Sequence, residues 1–230
     1  MRSLRTRSSA LGLLAMVTLV TPAFGQDDGG SPPTVAAKPA TAAALAPSSN
    51  LPPLPIIDRI IFAKLHAGIV FSESSDDDGH GGQVHGQAIC HCNIDTLWAV
   101  LTHHANFVEF VPRVTQMEVT RHTDHGERAL QTIDASISNV KYALDYEWDP
   151  AARHIAFLLA EDVPHDLKAV RGEWQMWPID HGAATLIDYR AVVDTGRQIP
   201  NFIKSYLADR GVKDNMQAMC MHAEGKPSNK

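Results

Sequence analysis

The chain is short of several things. It has only three cysteines, no surplus of basic residues, and no apolar run long enough to cross a bilayer, the longest stretch being Ala10–Val20. Three thiols cannot staple a disulfide-scaffolded miniprotein, and the odd number leaves one over. Twenty Lys and Arg stand against 26 Asp and Glu, a formal charge of −6. The cationic excess that would release counterions from a nucleic acid is missing, so no nucleic-acid partner is expected. There is no Gly-x-Ser-x-Gly, no phosphate loop and no His-Glu-x-x-His. The acidic run Asp76-Asp77-Asp78 lacks the alternating acids and closing Glu of a calcium loop, and reads as a hairpin tip. What is present is ordinary for a globular chain: 44% apolar residues over 230 positions, enough for one packed domain with tails.

The first 25 residues read as a secretory signal peptide. Arg2, Arg5 and Arg7 precede the apolar core, Pro22 breaks it, and Ala23-Phe24-Gly25 places small residues at −3 and −1 of a cleavage bond before Gln26. Export to the periplasm or beyond is the expectation. Cleavage removes three of the 20 basic residues and no acid, leaving 17 against 26, a formal −9. Such a protein is repelled overall by anionic head groups, which limits membrane contact to a transient one. Residues 26–54 are rich in Ala, Pro and Ser with almost no large apolar side chain, and are expected to be a disordered linker. The domain is expected over 55–225, with a tail at 226–230.

Within the domain, residues 56–65 carry apolar side chains at helical spacing, and a strand is expected near 67–74, pairing with 83–93. Asp95 is the expected cap of a helix carrying Leu97, Trp98 and Leu101, and a second short helix over 105–111 stops at Pro112. Strands follow at 114–122, 127–137, 138–149, 153–161, 170–179 and 183–194, joined by Asp-, Gly- and Pro-containing turns. Their alternation is the most informative signal. Tyr142, Leu144, Tyr146 and Trp148 share a face, as do Ile155, Phe157 and Leu159; Gly172, Trp174 and Met176; and Ile187, Tyr189, Ala191 and Val193. The opposite face takes Asp145, Glu147, Glu173, Asp188 and Asp194 and is expected to be wet. Residues 198–222 are helical in pattern, with Pro200 in the first turn and an apolar stripe through Phe202, Tyr206, Met216 and Met219. The expected class is α+β with a helix-grip architecture: a curved antiparallel sheet of about seven strands around a long C-terminal helix, with two short helices after an early strand.

The residues also bound the chemistry. On this face assignment the inner surface offers tyrosines and no acid or histidine, so no catalytic residue is assigned and a ligand-binding protein is expected rather than an enzyme. A metal site built on Cys90-His91-Cys92 is disfavoured because on a strand His91 faces away from the two cysteines, and one on His103-His104 because these neighbours at a helix end diverge. Neither a metal nor another cofactor is expected.

The order of elements, with Ile94-Asp95-Thr96-Leu97-Trp98-Ala99-Val100-Leu101-Thr102, then Glu109-Phe110-Val111-Pro112, then Gly172-Glu173-Trp174 and Ile199-Pro200-Asn201-Phe202, resembles the START-like (SRPBCC, helix-grip) superfamily. The likeness, over roughly 83–222, is to its polyketide cyclase/dehydrase and coenzyme Q-binding branch. His103-His104 stand where relatives carry Asp-Tyr, and the early strand with its acidic loop lies outside the common core. The resemblance implies an apolar pocket for a lipid, sterol, quinone or polyketide-like molecule. Its lining would come from Trp98, Phe110, Met117, Trp148, Phe157, Trp174, Met176, Phe202 and Tyr206, with Gln131, Tyr142, Tyr146 and Tyr189 as polar handles. The alternative is a cyclase or dehydratase acting in the same pocket; a His/Cys metal-binding protein is the third reading. In the helix-grip arrangement the end of the last helix lies near the short helices. Cys220 is therefore a candidate to pair with Cys92, or with Cys90, against three unpaired buried thiols.

Overall fold

A computed structural model describes residues 50–77, 81–135, 139–196 and 211–227. The expected export segment, nearly all of the expected linker, and residues 197–210, which include Phe202 and Tyr206, lie outside the described residues.

Eight antiparallel strands form one sheet: β1 (Phe71–Asp77), β2 (Gly81–Cys90), β3 (Val114–Thr123), β4 (Gly126–Asp134), β5 (Asn139–Asp149), β6 (His154–Leu159), β7 (Ala169–Ile179) and β8 (Ala184–Asp194). Their order is β1-β2-β8-β7-β6-β5-β4-β3. All neighbours after β3 are joined by hairpins, and the one long connection carries the chain from β2 past the short helices to the far edge at β3. Asp149 makes one hairpin tip by accepting hydrogen bonds from the amides of Ala151 and Ala152, both at 3.0 Å. Among the described residues four helices accompany the sheet: α1 (Arg59–His66), α2 (Ile94–Leu101), α3 (Phe107–Phe110), entered through a 3-10 turn at His104–Asn106, and α4 (Gly211–Ala223).

The caps differ from expectation at α2. Asn93, not Asp95, caps it, accepting the Thr96 amide at 2.8 Å. Asp95 lies in the first turn, where its carboxylate pairs with Arg153. Pro112 ends the α3 segment as expected, and the following Arg113 turns the chain with φ 63°.

Cross-strand register sets the inner face. One row runs through Glu127, Tyr146, Phe157, Gly172, Ala191 and Val84, each opposite the next. A neighbouring row runs through Trp148, Ile155, Trp174, Tyr189 and Gly86. α4 lies on this face at β2, with its Met216, Met219 and Cys220 buried in the main core. The missing side chain of Gly86 allows the close approach: a Cβ there would stand 2.6 Å from Met216 Sδ and 2.9 Å from Val212 Cγ1, and these side chains would have to shift.

A disulfide joins Cys90, at the end of β2, to Cys220 on α4, with Cα atoms 4.9 Å apart. This corrects the pairing of Cys92 with Cys220, for Cys92 is free. The physical reason is where the strand ends: Cys90 is the last residue of β2 and faces inward toward α4, whereas Cys92 lies beyond the strand end. The same helix end is held again where the His91 amide donates to Glu224 Oε1 at 2.7 Å.

The outer face is not uniformly wet. At one end it carries a second core of Leu65, Ile89, Trp177, Ile179, Ala184 and Leu186, with Ile57, Ile61, Phe62 and Phe71 against it, so α1 covers the sheet there. The Trp177 indole N–H donates to the Pro52 carbonyl at 2.9 Å, so the contacts of this core reach back to position 52. Asp188 shares this outer face but is buried, accepting from His85 Nε2 at 2.8 Å and Gln87 Nε2 at 2.7 Å, with Arg190 Nε at 3.1 Å.

Candidate functional site

The first inner row grades from aromatic to small. At the β4–β5 end stand Glu127, Tyr146 and Phe157; at the β8–β2 end stand Gly172, Ala191 and Val84. Gly172 is small of necessity, because a Cβ there would overlap the Phe157 ring and the Arg190 carbonyl. A cleft of about 650 Å³ opens across β1, β2, β8 and β7. It takes three consecutive residues from each of these strands, centred on Ser74, Val84, Gly172 and Ala191, and Phe157 from β6. Most of its lining, including Glu73, His85, Arg171, Glu173 and Arg190, alternates to the outer face, and the inner-face residues Trp174, Tyr189 and Val193 do not line it, so the cleft is rimmed by outward-facing polar side chains.

On the inner face the aromatic rings form a continuous wall. Phe157 lies 6.0 Å from Tyr189 and 5.9 Å from Tyr146 between ring centroids, and Trp174 lies 4.2 Å from Tyr189. Tyr146 stacks at 3.7 Å on the imidazole of His104. His104 Nδ1 lies 2.6 Å from Glu127 Oε1, and both side chains are almost fully buried, at 2% and 5% exposure. His122 approaches the second carboxylate oxygen from the surface at 3.4 Å.

The charge states of this pair follow from burial. Burial lowers the pKa of His104 below its ordinary value, outweighing the opposing pull of Glu127, so its imidazole is neutral. Burial also resists the charge on Glu127, but the hydrogen bonds from His104 and His122 outweigh it and hold the carboxyl below its usual range. The arrangement is an ionised carboxylate accepting from a neutral imidazole whose proton is on Nδ1. Burial raises the phenols of Tyr146 and Tyr189 well above their usual range, so both remain protonated donors.

The structure distributes the expected lining residues unevenly. Tyr146, Phe157, Trp174 and Tyr189 form the continuous aromatic wall. Met176 is fully buried in the same core, and Trp148 packs at its margin. Gln131 is buried on the inner face opposite both Tyr142 on β5 and Met117 on β3. Trp98 lies on α2 beneath the Arg153 guanidinium at 5.5 Å, and Phe110 stacks on His222 of α4 at 4.0 Å; both belong to the helical layer. The expectation of an inner face without acid or imidazole is overturned by Glu127 and His104. Glu127 sits two residues before Ala129 and four before Gln131, so period-two alternation from Gln131 would have found it. His104 comes from a 3-10 turn, which has no strand alternation to reveal it. Among the described residues no three His, Cys, Asp or Glu side chains are arranged to hold a metal ion.

Comparisons with known proteins agree with the architecture. A family model described as polyketide cyclase / dehydrase and lipid transport matches residues 91–220. Among solved structures, the STAR-related lipid transfer protein from Xanthomonas axonopodis superposes with a TM-score of 0.57 at 16% identity, covering 67% of this chain and 93% of its own. The Zhui aromatase/cyclase from a Streptomyces species gives 0.55 at 18% identity, covering 63% and 94%. Human StAR-related lipid transfer protein 5 gives 0.55 at 12%, covering 68% and 83%. At such identities the likeness is one of fold. No curated protein matches the sequence.

Proposed function

From the premise that this chain belongs to the polyketide cyclase/dehydrase and lipid transport family, we propose that it binds an apolar small molecule of lipid, sterol, quinone or polyketide type along the inner row of its sheet. The observation that carries this reading is the inner row of Val84, Ala191 and Gly172 running up to Phe157 and the aromatic wall of Tyr189 and Trp174. A trough of small residues ending on an aromatic ring accepts an aliphatic or flat apolar body and rewards it with desolvation. The solved relatives named as lipid transfer proteins support the class of ligand. The apolar leader at residues 1–25 supports export, so the ligand would be met in the periplasm or outside the cell.

The test is saturable uptake of a neutral apolar fluorophore such as N-phenyl-1-naphthylamine. Ala191→Leu, which adds bulk in the trough, is expected to weaken uptake about tenfold while the protein stays folded. Glu147→Gln, on the exposed face, should leave uptake unchanged. Equal uptake by all three proteins would contradict the reading.

A second reading rests on the buried pair. The cyclase or dehydratase alternative needs a group that moves a proton beside an apolar substrate, and His104 held by Glu127 is such a group, stacked on the wall residue Tyr146. Turnover of a synthetic poly-ketone, abolished in His104→Gln with apolar uptake retained, would favour the enzyme.

A further inference from the structure

We propose that α1 and the segment leading into it form a docking surface for an anionic lipid bilayer. α1 is apolar on two sides. Ile57, Ile61 and Leu65 pack on the sheet, whereas Ile56 and Ile60 face solvent at 104% and 68% exposure, continued by Leu54 before the helix and Ile69 after it. These four are the exposed large aliphatics among the described residues, apart from Leu158 on the distant β6. A cluster of exposed aliphatics of this kind on a surface marks a contact site.

Charge says what covers it. Asp58, Arg59, Ile60, Ala63, Lys64, Ala67 and Ile69 line one groove on this side. Among the described residues neither Arg59 nor Lys64 makes an ion pair. The nearest carboxylate, Asp58, is engaged as the helix cap, accepting from the amides of Ile60 and Ile61. On a chain of net charge −6 this is a local cationic rim around exposed aliphatics, the pattern of an element that lies in a head-group layer with its apolar side down. A second copy is a poorer fit, because a two-fold contact across α1 would set Arg59 and Lys64 against their own equivalents. Residues 26–49 are a poorer fit as well, for they hold almost no large apolar side chain to match the isoleucines. The surface lies on the opposite side of the sheet from the inner row of Val84, Gly172 and Ala191, so it is independent of what that row binds. It would hold the protein at a membrane against the repulsion of its overall charge.

Flotation of the protein, as its host processes it, with phosphatidylcholine vesicles containing phosphatidylglycerol at roughly one lipid in three tests this. The expected result is co-flotation that weakens with salt and is much poorer on pure phosphatidylcholine. The double changes Ile56→Ser with Ile60→Ser, and Arg59→Glu with Lys64→Glu, should each lower vesicle partitioning about tenfold. All four side chains are exposed, so both variants should keep the parent melting temperature, which a thermal scan checks. Three outcomes would overturn the proposal: no co-flotation of the parent protein, parental partitioning by both variants, or dimers in analytical ultracentrifugation that dissociate on the Ile→Ser changes.

Discussion

His104 and Glu127 form the most consequential pair of side chains in the molecule, since an ionised carboxylate in an aromatic interior stays there only while its donors do. Replacing His104 by Phe keeps a ring on Tyr146 but removes the donor 2.6 Å from Glu127. The expected cost is about 3 kcal/mol by urea unfolding. Adding Glu127→Leu should recover most of it, and equal stability of the single and double variants would contradict the pairing. The sign of the pH dependence follows. With His104 held below 6.5 and Glu127 below 4.5, the unfolded chain binds protons first, so these groups make stability fall as pH drops below about 6.5 and further as Glu127 itself protonates.

The outer-face pair behaves oppositely on the alkaline side. The hydrogen bond to Asp188 raises His85 above 6.5, its Coulomb attraction adding to this against the cost of burial. The bonds from His85 and Gln87 overcome burial to hold Asp188 below 3.8. The contribution of His85 is complete below pH 6.5 and disappears as pH rises through its raised pKa. The gap in melting temperature between parent and His85→Gln should therefore be widest near pH 5.5 and narrow steadily above neutrality, the width being on the order of a few degrees. A gap that widens with pH would refute the assignment.

At the scale of elements, the crosslink between β2 and α4 spans 130 residues of sequence. In the chain-entropy picture it stabilises by about 5 kcal/mol. Cys90→Ser or Cys220→Ser should lower the melting temperature together and equally, whereas Cys92→Ser should not, and a loss confined to Cys92→Ser would reverse the pairing. The elements also show what a sequence can convey. Strand alternation from Tyr142 to Trp148 and from Gly172 to Met176 was legible because each position's face is fixed by period two, and the register confirms those faces. The pairing of Cys220 was not, because Cys90 and Cys92 are two residues apart and only the point where β2 ends decides which meets the helix. Asp188 was legible as outward but not as buried. Its cover comes from side chains of β2, brought beside it by a pairing 100 residues distant, which no local pattern encodes.

For the whole molecule, the sheet separates two environments. Its inner side holds an aromatic wall, a buried acid–imidazole pair and a trough of small residues; its outer side holds α1 and the polar network at Asp188. The family frame was legible in the sequence as an order of motifs, and residues 91–220 carry it. The acid at Glu127 was not legible because β4 opens on the polar run Gly126-Glu127-Arg128, where no apolar alternation marks the inner face. The trough was not read because glycine and alanine give no signal until cross-strand register lines up Gly172 with Ala191 and Val84. Native mass spectrometry of the protein purified from its own host, sprayed intact and then stripped, tests the trough directly. The account predicts an adduct of a few hundred daltons that organic extraction identifies as an apolar molecule and that is lost in folded Ala191→Leu. A parent protein that sprays only at its polypeptide mass, and that takes up no lipid, quinone or sterol when these are added, would contradict it.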